Sequence, residues 1–112
     1  MVDLAGTNVS RETMARLEDF AALTIKWNPR INLVARSTLT DLWSRHIVDS
    51  AQIFQYAPTG AKHWVDIGSG GGFPGIVVAA MGAELCPEMQ FTLIESDQRK
   101  ATFLRTAARE LK

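Results

Sequence analysis

Apolar side chains first recur with a regular spacing over residues 10–27, where Met14, Leu17, Ala21, Thr24 and Ile25 fall three and four apart with Phe20 beside them. That spacing gathers them on one face of an amphipathic helix. Ser10 suits its N-cap, Glu12 suits its positive first turn, and Pro29 is expected to stop it. A connector over 28–37 then carries Arg30, Asn32 and Arg36. The helical period returns over about 39–56, where Leu42, Trp43, His46, Ile47, Ala51 and Phe54 share one side. Thr38 with Asp41 reads as a capping box with aspartate in place of glutamate. One long helix, or two short ones with a restart at Asp49-Ser50, both satisfy the pattern. Pro58-Thr59-Gly60 is predicted to turn.

From His63 the period changes. Residues 63–67 read as a short buried strand and 74–85 as a crossover helix, with Pro74 at its opening. Cys86-Pro87-Glu88 makes a return turn, 89–94 a second strand, and Ser96 caps a last helix over 97–112. In that helix Ala101, Phe103, Leu104, Ala107, Ala108 and Leu111 supply the apolar face. Strand, helix, strand, helix with tight connections predicts an α/β fold with a parallel sheet and right-handed crossovers. The chain divides into a helical region, 1–58, expected to pack on the sheet, and a first βαβα portion, 59–112. Two parallel strands with helices do not close a layered core, and the last helix carries no stop signal. The pattern therefore predicts the front part of a longer protein.

Composition adds constraints. The chain has 112 residues, 46% of them hydrophobic and 21% charged, the profile of an ordinary soluble domain. Twelve Lys and Arg balance twelve Asp and Glu, which argues against a strongly basic nucleic-acid module but not against a local basic face. Cys86 is the single cysteine, so no internal disulfide exists, and the two histidines without cysteine partners predict no metal site. Residues 1–4 lack a signal-peptide pattern, and the apolar run 76–81 is far too short for a membrane span. A reducing cytoplasm is the expected compartment.

The chemistry concentrates in 65–75, where five glycines fall within eight residues, from Gly68 to Gly75. Glycines at 68, 70 and 72 let the main chain approach a ligand closely. Two ligand classes compete for this loop. Gly70-x-Gly72-x-x-Gly75 fits a dinucleotide fingerprint and hence a nicotinamide-dependent oxidoreductase. Asp66-x-Gly68-x-Gly70-x-Gly72 suits the nucleoside loop of S-adenosylmethionine (AdoMet) methyltransferases. Asp66 favours the cationic AdoMet over a pyrophosphate on charge. Glu95, twenty residues beyond Gly75, can accept ribose hydroxyl bonds in either class. Phe73 is placed to wall the methionine side of a cofactor. A non-enzymatic nucleotide-sensing or packing module is the third reading.

The motifs then fall into an ordered set. Lys26-Trp27-Asn28 with Asn32-Leu33, Arg45-His46-Ile47 with Asp49-Ser50, and Asp66-Ile67-Gly68-Ser69-Gly70 with Gly72-Phe73-Pro74-Gly75 come first. Phe91-Thr92-Leu93-Ile94-Glu95-Ser96, Arg99-Lys100 and Phe103-Leu104 follow. Together they resemble the 16S ribosomal RNA (guanine-N7) methyltransferase G family, also called the glucose-inhibited division protein B family. The resemblance implies a class I AdoMet-dependent, Rossmann-like methyltransferase fold, here its N-terminal part preceded by N-terminal helices. It implies a bacterial cytoplasmic enzyme that methylates N7 of one guanosine, at the guanine-527 position, in 16S ribosomal RNA of the small ribosomal subunit. It also implies a monomer at full length with no membrane or metal partner, and a chain of this extent that is inactive alone. Asp66, Gly68, Gly70, Gly72, Phe73 and Glu95 are the cofactor-binding candidates it selects. Val34 stands where the family usually has Thr, and Glu95 where it often has Asp.

N7 of guanine is already a nucleophile and carries no proton, so such a reaction needs alignment more than a general base. No catalytic residue is expected. Arg36, Arg45 and His46 are the substrate-binding candidates. Six cations against five carboxylates leave residues 1–45 a formal charge of only +1, so any single arginine there reads more readily as solvated surface than as an RNA anchor. Asp49 lies three residues from His46 and can reach it on a helix. The competing reading makes His46 a packing residue, its ring fixed by Arg45 and Asp49. Trp27 and Trp43 are expected as core anchors and His63 as solvated, while Asn28 and Asn32 read either as caps or pins of the connector or, as a family motif, as lining of the cofactor or RNA cleft.

Overall fold

The computed structural model describes residues 1–56 and 60–111. The predicted turn at Pro58-Thr59-Gly60, and the 58/59 boundary between the two regions, lie outside the described residues except for Gly60.

The chain is mixed α/β, and it opens on a hairpin that the helical reading did not anticipate. Strands β1 (Val2–Leu4) and β2 (Thr7–Val9) pair antiparallel, with Leu4 opposite Thr7. Ala5 and Gly6 turn between them with φ of 51° and 89°, the doubly left-handed turn that matches the twist of a two-residue hairpin. The alternation Val2, Leu4, Thr7, Val9 around Gly6 was the available signal. Leu4 and Val9 are buried in the main core.

Helix α1 (Arg11–Ile31) starts at Ser10 as expected, the Ser10 hydroxyl accepting the Thr13 N–H at 3.1 Å. Pro29 does not stop it. It stands in the last turn, where its missing N–H costs one hydrogen bond that the following cap offsets. Asn32, at φ 49°, is the left-handed C-cap, and its N–H donates to the Asn28 carbonyl at 2.9 Å. The buried face is Thr13, Leu17, Phe20, Thr24, Asn28 and Ile31, rotated from the expected one so that Ile25 is exposed.

Residues 36–54 wind continuously but not uniformly. A 3₁₀ segment (Arg36–Asp41) leads into a π-helical turn (Trp43–Val48) and then α2 (Asp49–Phe54). No capping box forms at Thr38. Its hydroxyl donates to the Ala35 carbonyl at 2.8 Å instead, and Asp41 accepts from the Ser44 hydroxyl. Leu42, Ile47, Ala51 and Phe54 are buried, as their period predicted.

Strands β3 (His63–Ile67) and β4 (Gln90–Ile94) pair in parallel, Asp66 opposite Leu93 and Ile67 opposite Ile94. Helix α3 (Gly75–Leu85) crosses between them, and a turn closed by Met89 N–H to the Cys86 carbonyl returns the chain. Helix α4 (Gln98–Leu111) follows β4. Its cap is Asp97 rather than Ser96: one Asp97 oxygen accepts the N–H groups of Arg99 and Lys100. The strands are buried on one face only. Trp64, Asp66, Phe91 and Leu93 turn toward the helices, while Val65, Ile67 and Ile94 are 49%, 79% and 49% exposed on the other.

The N-terminal helices pack mainly on α3 and α4, and the stack of Phe54 on Trp64 ties α2 to β3. Phe20 and Trp27 of α1 both meet Phe103 of α4, at 6.1 and 5.6 Å between ring centres. Trp27 and Trp43 are half-buried against this core, in the anchoring role expected of them. Among the described residues no helix is long and apolar enough to cross a membrane, and no three His, Cys, Asp or Glu gather as metal ligands.

Candidate functional site

The glycine loop joins the end of β3 to the start of α3, and β4 holds it in place. The Ile94 carbonyl accepts both the Gly68 and Ser69 N–H groups, at 2.8 and 3.0 Å. The Ser69 hydroxyl donates to the Asp66 carbonyl, and Gly72 N–H donates to the Ser69 carbonyl at 2.8 Å. Glu95 adds the last tie. One of its oxygens accepts the Gly70 N–H at 2.6 Å and the other accepts the Asp97 N–H at 2.9 Å. These two bonds, the one from Asp97 first, hold the Glu95 carboxyl below its ordinary range.

The five glycines divide by what surrounds them. Gly68 and Gly70 adopt φ of 74° and 54°, and a side chain there would meet little but open space. Gly71, Gly72 and Gly75 are closed in. A Cβ on Gly71 would stand 2.8 Å from the Leu33 carbonyl oxygen, and one on Gly72 would press on Ile76 and Phe20. One on Gly75 would stand 2.6 Å from Asp66 Oδ2. The Gly72 and Gly75 positions of the dinucleotide pattern are thus explained by packing. The Gly68 and Gly70 positions face outward and are not.

Asp66 lies beneath the loop rather than on its open side. Its Oδ2 is buried without a hydrogen-bond partner among the described residues, against the first turn of α3. Phe73 closes the loop with its ring between two others, 5.2 Å from Phe20 and 5.1 Å from His46. A cleft of about 470 Å³ begins at Glu95 and runs along Phe91, Leu93 and Leu104 toward Arg105. Its lining includes none of the loop glycines.

Among the substrate-side candidates, the fold brings His46 to the loop. Arg36 and Arg45 are exposed on the segments leading to it, and Arg45 turns to Asp41 at 3.7 Å. The His46 ring is not fixed by Arg45 and Asp49. Its Nε2 lies 2.9 Å from the Thr38 hydroxyl, and its face rests against Phe73. Burial lowers its pKa, against the raising field of Asp49 and with the lowering field of Arg45. His63 is exposed, with Nε2 2.7 Å from the Thr92 hydroxyl across the sheet. Thr38, read from sequence as a helix cap, is the hydrogen-bond neighbour of His46 that sequence reasoning did not foresee. It lies eight residues from His46, about 12 Å along a regular α-helix and so beyond contact there.

Asn28 and Leu33 set the loop's third wall. The buried Asn28 side-chain oxygen accepts the Val34 N–H at 2.9 Å, which lays the connector, and with it the Leu33 carbonyl, over Gly71. The expectation that Asn28 pins the connector is met. Asn32 contributes through its backbone as the helix cap.

Comparison with known proteins gives a consistent result. A family model described as rRNA small subunit methyltransferase G matches residues 13–112. A protein of Ruegeria pomeroyi named ribosomal RNA small subunit methyltransferase G is 62% identical over 111 residues, covering 98% of this chain and 54% of the relative. Proteins of the same name from Cereibacter sphaeroides and Rhizobium rhizogenes are each 57% identical over 109 residues. Each of these two alignments covers 97% of this chain, and 53% and 52% of the respective relative. The chain spans about half the length of the curated relatives it matches.

Proposed function

The chain belongs to the rRNA small subunit methyltransferase G family, and on that premise we propose that its glycine loop binds AdoMet for methyl transfer to N7 of a guanosine, at the guanine-527 position, of 16S ribosomal RNA. The loop, β3, α3 and β4 then form the opening of a class I, Rossmann-like methyltransferase domain in a bacterial cytoplasmic enzyme.

One observation carries the choice of ligand. The N–H groups of Gly68, Ser69, Gly70 and Gly72 are already bonded within the protein. A pyrophosphate is held by free N–H groups at such a turn, so this loop suits it poorly. AdoMet has no phosphate, and its ribose, sulfonium and ammonium ask for oxygen acceptors instead. Glu95 supplies them. Each of its oxygens keeps a lone pair after accepting one backbone N–H, enough for the two ribose hydroxyls. The open side of Gly68 and Gly70 lets the nucleoside lie against the main chain.

Bound there, AdoMet supplies an electrophilic methyl on a sulfonium. The residues of this chain orient and exclude water. Gly72 lets Phe20 and Ile76 approach from behind, Phe73 walls the loop beside His46, and Asp66 sets the first turn of α3 from below. In this reading the exposed Arg36 and Arg45 take RNA phosphates, and no proton acceptor is required at N7.

Titration calorimetry tests the reading. AdoMet or S-adenosylhomocysteine should bind the wild-type chain and bind Glu95→Ala at least tenfold more weakly, the loss expected for a charge-assisted bond pair. Binding of NAD with no response to either adenosyl ligand overturns it.

A further inference from the structure

The Thr38 hydroxyl stands at a fork. Its oxygen is 2.8 Å from the Ala35 carbonyl oxygen and 2.9 Å from His46 Nε2. A hydroxyl has one proton, and the carbonyl is an acceptor only. If that proton went to Nε2, two bare oxygens would face each other at 2.8 Å. The arrangement is satisfied in one way: Thr38 donates to Ala35, and His46 Nε2–H donates to Thr38. A neutral imidazole protonated at Nε2 has a bare Nδ1, and Nδ1 has no hydrogen-bond partner among the described residues.

Three further features fit a ring prepared for a ligand. The 3₁₀ segment delivers Thr38 and the π-helical turn delivers His46, so the pair is set by irregular backbone rather than by a shared helix face. Such wide turns recur at functional sites. Phe73, the residue after the packed Gly72 of the loop, lies against the ring at 5.1 Å between centres and restricts its orientation. Burial disfavours the charged form, which would carry a proton on Nδ1.

We propose that Thr38 is a positioning residue that locks His46 in the Nε2–H tautomer, and that the bare Nδ1 beside Phe73 accepts the N1–H of the substrate guanine. The inference rests on the ribosomal RNA reading of the site. Guanine offers a donor at N1 where adenine offers a bare acceptor, so an Nδ1 acceptor prefers the former. N1 and N7 lie on opposite sides of the purine. A base held at N1 keeps its N7 lone pair free for the methyl donor.

Two measurements on the same labelled chain separate the parts. Long-range proton–nitrogen correlation of ¹⁵N-labelled protein, assigned with His63→Gln, should show His46 with a protonated Nε2 and an unprotonated Nδ1. Thr38→Val should average the two nitrogens. The opposite tautomer, or a pattern indifferent to Thr38→Val, overturns the lock. Titration with short single-stranded RNAs carrying guanosine or adenosine should then shift Nδ1 only for guanosine, with about tenfold preference that His46→Phe removes and His46→Asn partly restores. Guanosine binding with Nδ1 unmoved overturns base recognition alone. Failure of the wild-type chain to bind either RNA overturns the ribosomal RNA reading of the site and the recognition role with it.

Discussion

Glu84, near the end of α3, accepts the backbone N–H of Ser10 with both carboxylate oxygens, at 2.9 and 3.1 Å. It also accepts the Thr13 hydroxyl at 2.6 Å. Ser10 is the N-cap of α1 and Thr13 its third helical residue. In a capping box the third residue of the same helix returns to the cap N–H. Here a residue of another helix, 74 positions away, takes that part. Because the bond joins two helices distant in sequence, it fixes the start of α1 against the end of α3.

Ser10→Ala is expected to lower stability by about 1 kcal/mol, the usual loss at an N-cap. Glu84→Gln keeps the shape but weakens the acceptor, and should lower the urea midpoint as well. The two changes share a partner, so the double variant should fall short of the summed losses. Chemical denaturation of the three variants checks this; strict additivity counts against the shared network.

The same carboxylate gives a pH dependence. The Thr13 hydroxyl, then the Ser10 N–H, hold the Glu84 pKa below its unfolded value. Glu95 and Asp97 are depressed by backbone N–H bonds in the same sense. A group depressed in the folded state contributes fully above its unfolded pKa and loses that contribution as pH falls through the folded value. Stability should hold from neutral pH down to about 4 and then decline. Urea titrations at a series of pH values should show a shallower decline in Glu84→Gln.

The glycines should separate by surroundings. Gly68→Ala puts a methyl into open space at φ 74° and should cost about 1–2 kcal/mol, the left-handed penalty alone. Gly72→Ala carries the same penalty at φ 93° and drives the methyl to 2.8 Å from Ile76 and 2.9 Å from Phe20. It should lose about 1–3 kcal/mol more, as overpacking does. Equal thermal midpoints for the two variants would contradict the division of the loop into an open and a packed half.

Asn28→Ala should release the connector. The Val34 N–H loses its acceptor, at an expected cost of about 1–3 kcal/mol. Leu33 then no longer holds its carbonyl over Gly71. Amide exchange should quicken at Val34 and in the loop while α4 stays protected.

Much of the candidate site could be read along the chain because its parts are local. Gly68 and Glu95 stand next to strand ends, Gly70 and Phe73 follow in the same loop, and strand, loop and helix follow one another in sequence order. Pro29 shows where local rules fell short. A proline in a last turn breaks one bond, and the Asn32 cap and the Asn28 side chain outweigh it. Ser96 lost the cap to Asp97 for a related reason. The stronger acceptor one residue later reaches two N–H groups at once.

Periodicity and turn chemistry by themselves determined that β3, α3 and β4 form a parallel unit with a glycine loop at its end, because those signals act over a few residues. Tertiary structure alone decided which glycines face open space and which face Phe20 and Leu33. It alone turned Asp66 under α3, brought Glu84 to Ser10, and set Thr38 against His46. Each of these depends on two segments meeting in space. No period or spacing within either segment encodes that distance.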